Sequence, residues 1–125
     1  MNNISSNVIC MEITLSKPNP QKMLQSVSFE KGFHFTNEKG LYTGFTAQNL
    51  MEFFTKLEIV DVNSILFHYP RGDFQKWIQD TLGEKVLAET LFFASPDLSG
   101  EDLRRQLLNI IKNRISELQT TGFEE

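Results

Sequence analysis

From residue 33 onward, apolar and polar side chains alternate with a period of two, in two short runs on either side of residues 37–40. This period is typical of strands with one buried face. The residues between the runs, Asn-Glu-Lys-Gly, favour a tight turn. The pattern therefore predicts an antiparallel β-hairpin with strands at about 31–36 and 41–46.

The expected register of this hairpin pairs Phe35 with Thr43 and Phe33 with Phe45, which places these side chains on the core face. The side chains expected on the opposite face are His34, Thr36, Tyr42 and Gly44. A solvated face, or one covered by the N-terminal segment, is the favoured interpretation. His34 and Tyr42 are secondary candidates for binding, because glycine leaves open space beside them.

After the hairpin, apolar residues recur at helical spacing and polar residues mark the helix starts. The four helices predicted first begin at about Asn49, Asp61, Asp73 and Glu84. Asn49 and Glu52 form a capping box, Pro70 is expected to close the second helix, and Gly83 suits the end of the third. The fourth extends to Ala94. The apolar residues expected in the core are Phe33, Phe35, Phe45, Phe53, Phe54, Leu57, Trp77, Ile78, Leu107 and Ile111.

The longest helical pattern begins at Ser99, an N-cap residue with Asp102 as its third-position partner. Its apolar side chains occupy one broad arc as far as about Leu118. The polar tail, residues 119–125, is expected to fray.

The segment before the hairpin, residues 1–28, is expected to be an N-terminal extension. Residues 7–15 are rich in β-branched side chains and predict a strand. Pro20 suits the first turn of a short helix. With no internal repeat or linker, the chain predicts a single α+β domain over residues 1–125, in which four to five helices pack on a hairpin or three-stranded sheet.

Charge and composition restrict the function classes. The net charge of −4 disfavours nucleic-acid binding, which needs a basic surface. No apolar run approaches the roughly 18 residues of a membrane span. The start of the chain lacks the features of a signal peptide, so a cytoplasmic location is expected. The single cysteine, Cys10, predicts neither an internal disulfide nor a metal site.

The sequence lacks the common signatures of catalysis and cofactor binding. It contains no GxGxxG, GxxxxGK[ST], HExxH or GxSxG motif. Its two histidines lie in different predicted elements, whereas metal ligands usually cluster. We therefore predict no catalytic residue, no cofactor and no metal.

The densest polar cluster surrounds a predicted corner between two helices at Pro70 and Gly72. The candidate binding residues in this cluster are His68, Arg71, Asp73, Trp77 and Asp80. One interpretation is a binding pocket with Trp77 as a wall. The favoured interpretation is structural: Asp73 caps the third helix, Arg71 pairs with a nearby carboxylate, and Trp77 belongs to the core.

Arg114 is a further candidate, because it lies in the middle of the apolar arc of the last helix. A cation at such a position needs a carboxylate partner or a route to solvent. Asp73 or Asp80 is the expected partner, and a ligand or subunit contact is the alternative. Arg104, Arg105 and Lys112, on another side of this helix, predict an ordinary solvated face.

Several motifs occur together in a fixed order. They are a Phe-x-Phe hairpin ending at Tyr42-Thr-Gly44, Ala47-x-Asn-Leu-x-Glu-Phe53, Ser64-Ile-x-Phe-His68, Arg71-Gly-Asp-Phe74, Trp77-Ile-x-Asp80, Leu82-Gly83 and Leu87-Ala88. This order resembles a small prokaryotic family of uncharacterised domains, found alone or attached to larger proteins. The resemblance covers about residues 29–118. It implies the bounds of the family-like core and no catalytic residue.

Two classes of function remain. The favoured one is a non-catalytic interaction or regulatory module, whose partner is another protein or a second copy of the chain. The alternative is a small-molecule-binding domain or minor enzyme with a polar site at His68, Arg71, Asp73 and Asp80. An exposed apolar patch would favour the first, and a polar concavity near Arg71 the second.

Overall fold

The computed structural model of this chain describes residues 25–94 and 99–124, with side chains as far as Gln119. The predicted strand at 7–15, Cys10 and the short helix after Pro20 lie outside the described residues.

The predicted hairpin is confirmed, with β1 at Phe33–Thr36 and β2 at Tyr42–Ala47 in antiparallel pairing. Its turn is stabilised by the side-chain oxygen of Asn37. This oxygen accepts hydrogen bonds from the backbone N–H groups of Lys39 at 2.8 Å and Leu41 at 3.0 Å. Asparagine favours turns because its short side chain can replace a backbone acceptor in this way.

The register of the hairpin differs from the expected one at its open end. Thr36 faces Tyr42, as the predicted register requires, but Phe33 faces Ala47 rather than Phe45. A bulge in β2 inserts two extra residues, and Gly44 there has a φ of 94° that favours glycine. Two extra residues preserve the alternation of faces, so a period of two cannot reveal them. As a result, Phe45 is only partly buried.

Five helices follow the hairpin: α1 Leu50–Ile59, α2 Val62–Arg71, α3 Asp73–Asp80, α4 Lys85–Leu91 and α5 Gly100–Glu124. The predicted N-caps at Asn49, Asp61 and Ser99 are confirmed, since each side-chain oxygen accepts from a backbone N–H of the first turn. The fold is α+β, as predicted, with a two-stranded sheet within the described residues.

Three helix bounds need correction. Pro70 lies inside α2, which ends one residue later at Arg71. The fourth helix is shorter than predicted and stops at Leu91. The last continues to Glu124, beyond the expected end near Leu118. The residues after Leu118 are mostly polar, and polar residues can continue a helix without producing an apolar face. The apolar pattern therefore underestimated the length of α5.

The core combines the hairpin with all five helices and is rich in phenylalanine. The rings of Phe33, Phe53 and Trp77 contact one another, with centroids 5.6–5.8 Å apart. All the predicted core residues are buried except Phe45 and Phe54, which are partly buried and pack against the cluster.

Arg104 corrects the prediction of a solvated basic face. Its Nη1 donates to the backbone carbonyls of Leu57, Glu58 and Val60, at 2.8, 3.2 and 2.7 Å. Because the last carbonyls of a helix have no partner within the helix, this guanidinium caps the end of α1 and ties it to α5. Its remaining nitrogens bind Glu101.

Candidate functional site

The corner between α2 and α3 depends on Gly72. This residue adopts the left-handed conformation, with a φ of 76°, and both ends α2 and precedes α3. Its N–H donates to carbonyls of the last turn of α2, which is the usual role of glycine at a helix C-terminus. The reversal brings the last turn of α2 against the first residue of α3.

The corner joins three predicted site residues in one chain of hydrogen bonds. His68 Nδ1 lies 2.9 Å from Asp73 Oδ2, and Arg71 Nε donates to the same oxygen at 2.9 Å. Arg71 also places its guanidinium 4.7 Å from the centre of the Phe67 ring. The expected pairing of Arg71 with a nearby carboxylate is therefore observed. Asp73 does not cap α3 as expected, because its carboxylate turns back to these two partners.

The other nitrogen of His68 fixes the form of its imidazole ring. Nε2 lies 2.9 Å from the backbone nitrogen of Thr36 in β1. A backbone N–H can only donate, so Nε2 accepts and the proton of the neutral ring is on Nδ1, facing Asp73. Both nitrogens are thus used inside the fold, and His68 has no free lone pair with which to act as a general base.

The pKa shifts at the corner agree with this arrangement. Burial of His68 lowers its pKa, and the hydrogen bond and charge of Asp73 offset this effect only in part. Burial raises the pKa of Asp73, but the hydrogen bonds from His68 and Arg71 outweigh it, so the pKa lies below its ordinary value. At neutral pH the corner therefore combines a neutral His68 with an ionised Asp73.

Acid should weaken this link between β1 and α2. The unfolded chain takes up a proton on His68 near pH 6.5, whereas the folded chain does so only at lower pH. The contribution of neutral His68 to the stability of the fold is therefore complete above about pH 6.5. It falls as the pH drops toward the pKa of His68 in the folded chain. A His68→Gln variant keeps an acceptor for the Thr36 N–H and cannot be protonated. We expect its free energy of unfolding, measured with urea, to approach that of the wild type as the pH falls from 6.5 to 5. A constant difference would contradict this role.

Arg71→Ala should have a small effect on stability. The side chain is 59% exposed, and its exposed ion pair and its ring contact each contribute about 1 kcal/mol or less. Asp73 keeps its bond to His68 in the variant. We expect a slightly lower melting temperature, and we expect each folded molecule to bind a protein partner or a second copy as the wild type does. Loss of association without loss of stability would instead make Arg71 a binding residue.

The remaining residues of the predicted cluster do not join the corner. Trp77 is buried in the core, and its indole N–H donates to the carbonyl of Lys31 at 2.8 Å. Asp80 is exposed, and its side chain has no hydrogen bond or ion pair within the described part of the chain. Both residues line a cleft of about 320 Å³, which also includes His68 and Asp73 but not Arg71.

Arg114 has the carboxylate partner that was predicted, but on a different element. Its Nε donates to Glu84, the N-cap residue of α4, rather than to Asp73 or Asp80. Nη1 donates to Glu117 at 2.9 Å. Burial would lower the pKa of Arg114, but the bonds to these two carboxylates raise it overall. Arg114 thus ties α5 to α4, far in sequence from the Arg71 corner.

The secondary candidates His34 and Tyr42 are brought together by a residue that sequence reasoning missed. Thr46 Oγ1 lies 2.9 Å from His34 Nδ1 and 2.6 Å from the Tyr42 hydroxyl. The bulge in β2 places Thr46 opposite His34. Thr36 and Glu84 were missed as well. Of these missed residues, only Glu84 had a recognisable sequence signal. Its position at a helix start, directly after Gly83, is typical of a capping residue and does not indicate a partner for Arg114.

The described residues hold no group of three or more potential metal ligands. In the same residues, no helix is both long enough and apolar enough to cross a membrane.

Comparison with known proteins identifies a family but no activity. The chain belongs to the family of unknown function DUF5752, whose model matches residues 41–125. This match confirms an uncharacterised domain family. It begins at the second strand of the hairpin and continues to the end of the sequence, whereas the resemblance was expected over residues 29–118. No curated protein and no solved structure matches the chain.

Proposed function

We propose that this member of a family of unknown function is a non-catalytic protein-interaction module that associates with a second copy of itself. The proposed contact is an apolar corner formed by Leu66, Phe92 and Phe93. The observation that supports it most directly is the exposure of two adjacent phenylalanines, Phe92 at 61% and Phe93 at 83%. Burial of one such side chain contributes roughly 1.5–3 kcal/mol.

The apolar corner is held in place by bonds from α2. The Tyr69 hydroxyl donates to the carbonyl of Leu91 at 2.6 Å and lies 3.3 Å from that of Ala94. These two residues flank the phenylalanine pair. Leu66 lies one helical turn before Tyr69, and its side chain approaches Gly100 at the start of α5. These bonds fix the backbone that carries the two phenylalanines, so less backbone entropy is lost on binding, which favours affinity.

The polar groups favour a non-catalytic function. His68 and Asp73, the two residues of the Arg71 corner whose pKa values are shifted, bond to each other and to other parts of the fold. A second copy is the partner best suited to the apolar corner, because an apolar patch needs no charge complementarity to match itself. Two-fold association would place the same patch on both copies.

Sedimentation velocity at increasing protein concentration tests this proposal. We expect the wild-type chain to form dimers, and a Phe92→Ser/Phe93→Ser variant to remain monomeric while keeping its fold, because exposed positions contribute little to stability. Leu41→Ser is the matched control, since Leu41 is 60% exposed on the hairpin turn. This variant should dimerise normally. A wild-type chain that stays monomeric, or a double variant that still dimerises, would refute the proposal.

A further inference from the structure

A cleft opens between β1 and α3, apart from the apolar corner. Its volume is about 320 Å³, at the lower end of the range for small-molecule sites. The lining residues are Phe33, His34, His68, Asp73, Lys76, Trp77, Asp80 and Thr81.

The inner part of the cleft is apolar and fixed. Phe33 and Trp77 pack edge to face with ring centroids 5.8 Å apart. The indole N–H of Trp77 is already bonded to the carbonyl of Lys31, and His68 uses both its nitrogens in the fold. These groups therefore offer apolar contact to a ligand rather than new hydrogen bonds.

The rim of the cleft, in contrast, carries charges that the fold does not use. The side chains of Lys76 and Asp80 have no hydrogen bond or ion pair within the described residues, although the two residues are four apart on α3. Such positions are neighbours on a helix surface, with Cβ atoms about 5–6 Å apart. The rim therefore carries one ammonium group and one carboxylate on neighbouring positions of α3, in a cleft that Phe33 and Trp77 also line.

We infer that this cleft binds a small zwitterion, an amino acid with an apolar side chain. The ammonium of the ligand donates to the Asp80 carboxylate, and its carboxylate accepts from the Lys76 ammonium. The apolar side chain lies toward Phe33 and Trp77. Asp80 is a better partner than Asp73 for the ligand ammonium, because Oδ2 of Asp73 already accepts from His68 and Arg71, whereas the Asp80 side chain has no hydrogen bond or ion pair among the described residues.

The sequence supplies its own optical probe for this site. Trp77 is the only tryptophan of the chain, so its fluorescence reports directly on the cleft. Titration with L-phenylalanine, which does not absorb where tryptophan is excited, should change the emission in a saturable manner. Phenylethylamine lacks the carboxylate and phenylpropionate lacks the ammonium. Each should bind about tenfold more weakly than phenylalanine, as the loss of one charge-assisted bond predicts.

Two variants assign the charges. Lys76→Gln should weaken phenylalanine about tenfold and leave phenylethylamine unchanged, whereas Asp80→Asn should weaken phenylalanine and leave phenylpropionate unchanged. Lys112→Gln, an exposed lysine of α5, is the matched control and should bind as the wild type does. The Phe92→Ser/Phe93→Ser variant should also bind normally, which separates this site from the proposed self-association. Absence of saturable binding, or equal binding of all three probes, would overturn the inference.

Discussion

Arg114→Met should destabilise the fold by about 3–5 kcal/mol, the usual effect of leaving a buried charge without its partner. The Glu84 side chain is 1% exposed, and the Arg114 side chain 14%. Removal of the guanidinium leaves the Glu84 carboxylate buried, and among the described residues the Val86 N–H, 3.2 Å away, is then its only donor. Chemical denaturation followed by circular dichroism would measure the change in the free energy of unfolding.

The double variant Glu84→Gln/Arg114→Met distinguishes two effects of Arg114→Met, the loss of the ion pair and the burial of an unpaired Glu84 carboxylate. A neutral glutamine avoids the burial of an unpaired charge, so the double variant should be more stable than Arg114→Met alone. Lys112→Met, at an exposed position of the same helix, should change stability by about 0.5 kcal/mol or less. If Arg114→Met resembled this control, the ion pair would not hold α5 to α4.

Arg104→Ala is expected to destabilise the chain by about 2–3 kcal/mol. A single nitrogen of Arg104 serves three carbonyls at the end of α1, and these would lose a charged donor across the contact between α1 and α5. The same denaturation experiment applies. Hydrogen exchange should also increase in the last turn of α1 before it increases elsewhere.

Arg105→Ala is the natural control for Arg104→Ala. Arg105 is adjacent in sequence, is mostly exposed, and pairs only with Asp102, at 2.6 Å, among the described residues. Surface ion pairs of this kind contribute little, so the change should stay below about 1 kcal/mol. Similar losses for the two variants would contradict the capping role of Arg104.

Local sequence signals predicted the parts of the fold that depend on local chemistry. Asn49, Asp61 and Ser99 cap helices because their side chains reach backbone N–H groups two or three residues away. The hairpin is similarly local. The bulge is not, because the insertion of two residues leaves the alternation of faces unchanged, and only Gly44 hinted at it.

The candidate site was predictable only where its members are close in sequence. Arg71 and Asp73 are two residues apart, and a pairing of Arg71 with a nearby carboxylate was expected, although Asp73 was expected to cap α3. The bond from Thr36 to His68 spans 32 residues, and the pair of Arg114 with Glu84 spans 30. Such pairs depend on how helices pack, which side-chain periodicity does not specify. For Arg114, the need for a carboxylate was therefore predictable, whereas the identity of that carboxylate was not.

The structural role of the Arg71 corner depends most directly on the protonation of His68. Nitrogen NMR of the labelled chain at neutral pH would identify the state of each ring nitrogen. We expect a proton on Nδ1, an unprotonated Nε2, and a coupling across the hydrogen bond from the Thr36 N–H to Nε2. This result would leave His68 without a free nitrogen for chemistry. A proton on Nε2, or a ring that exchanges freely between its two neutral forms, would contradict it.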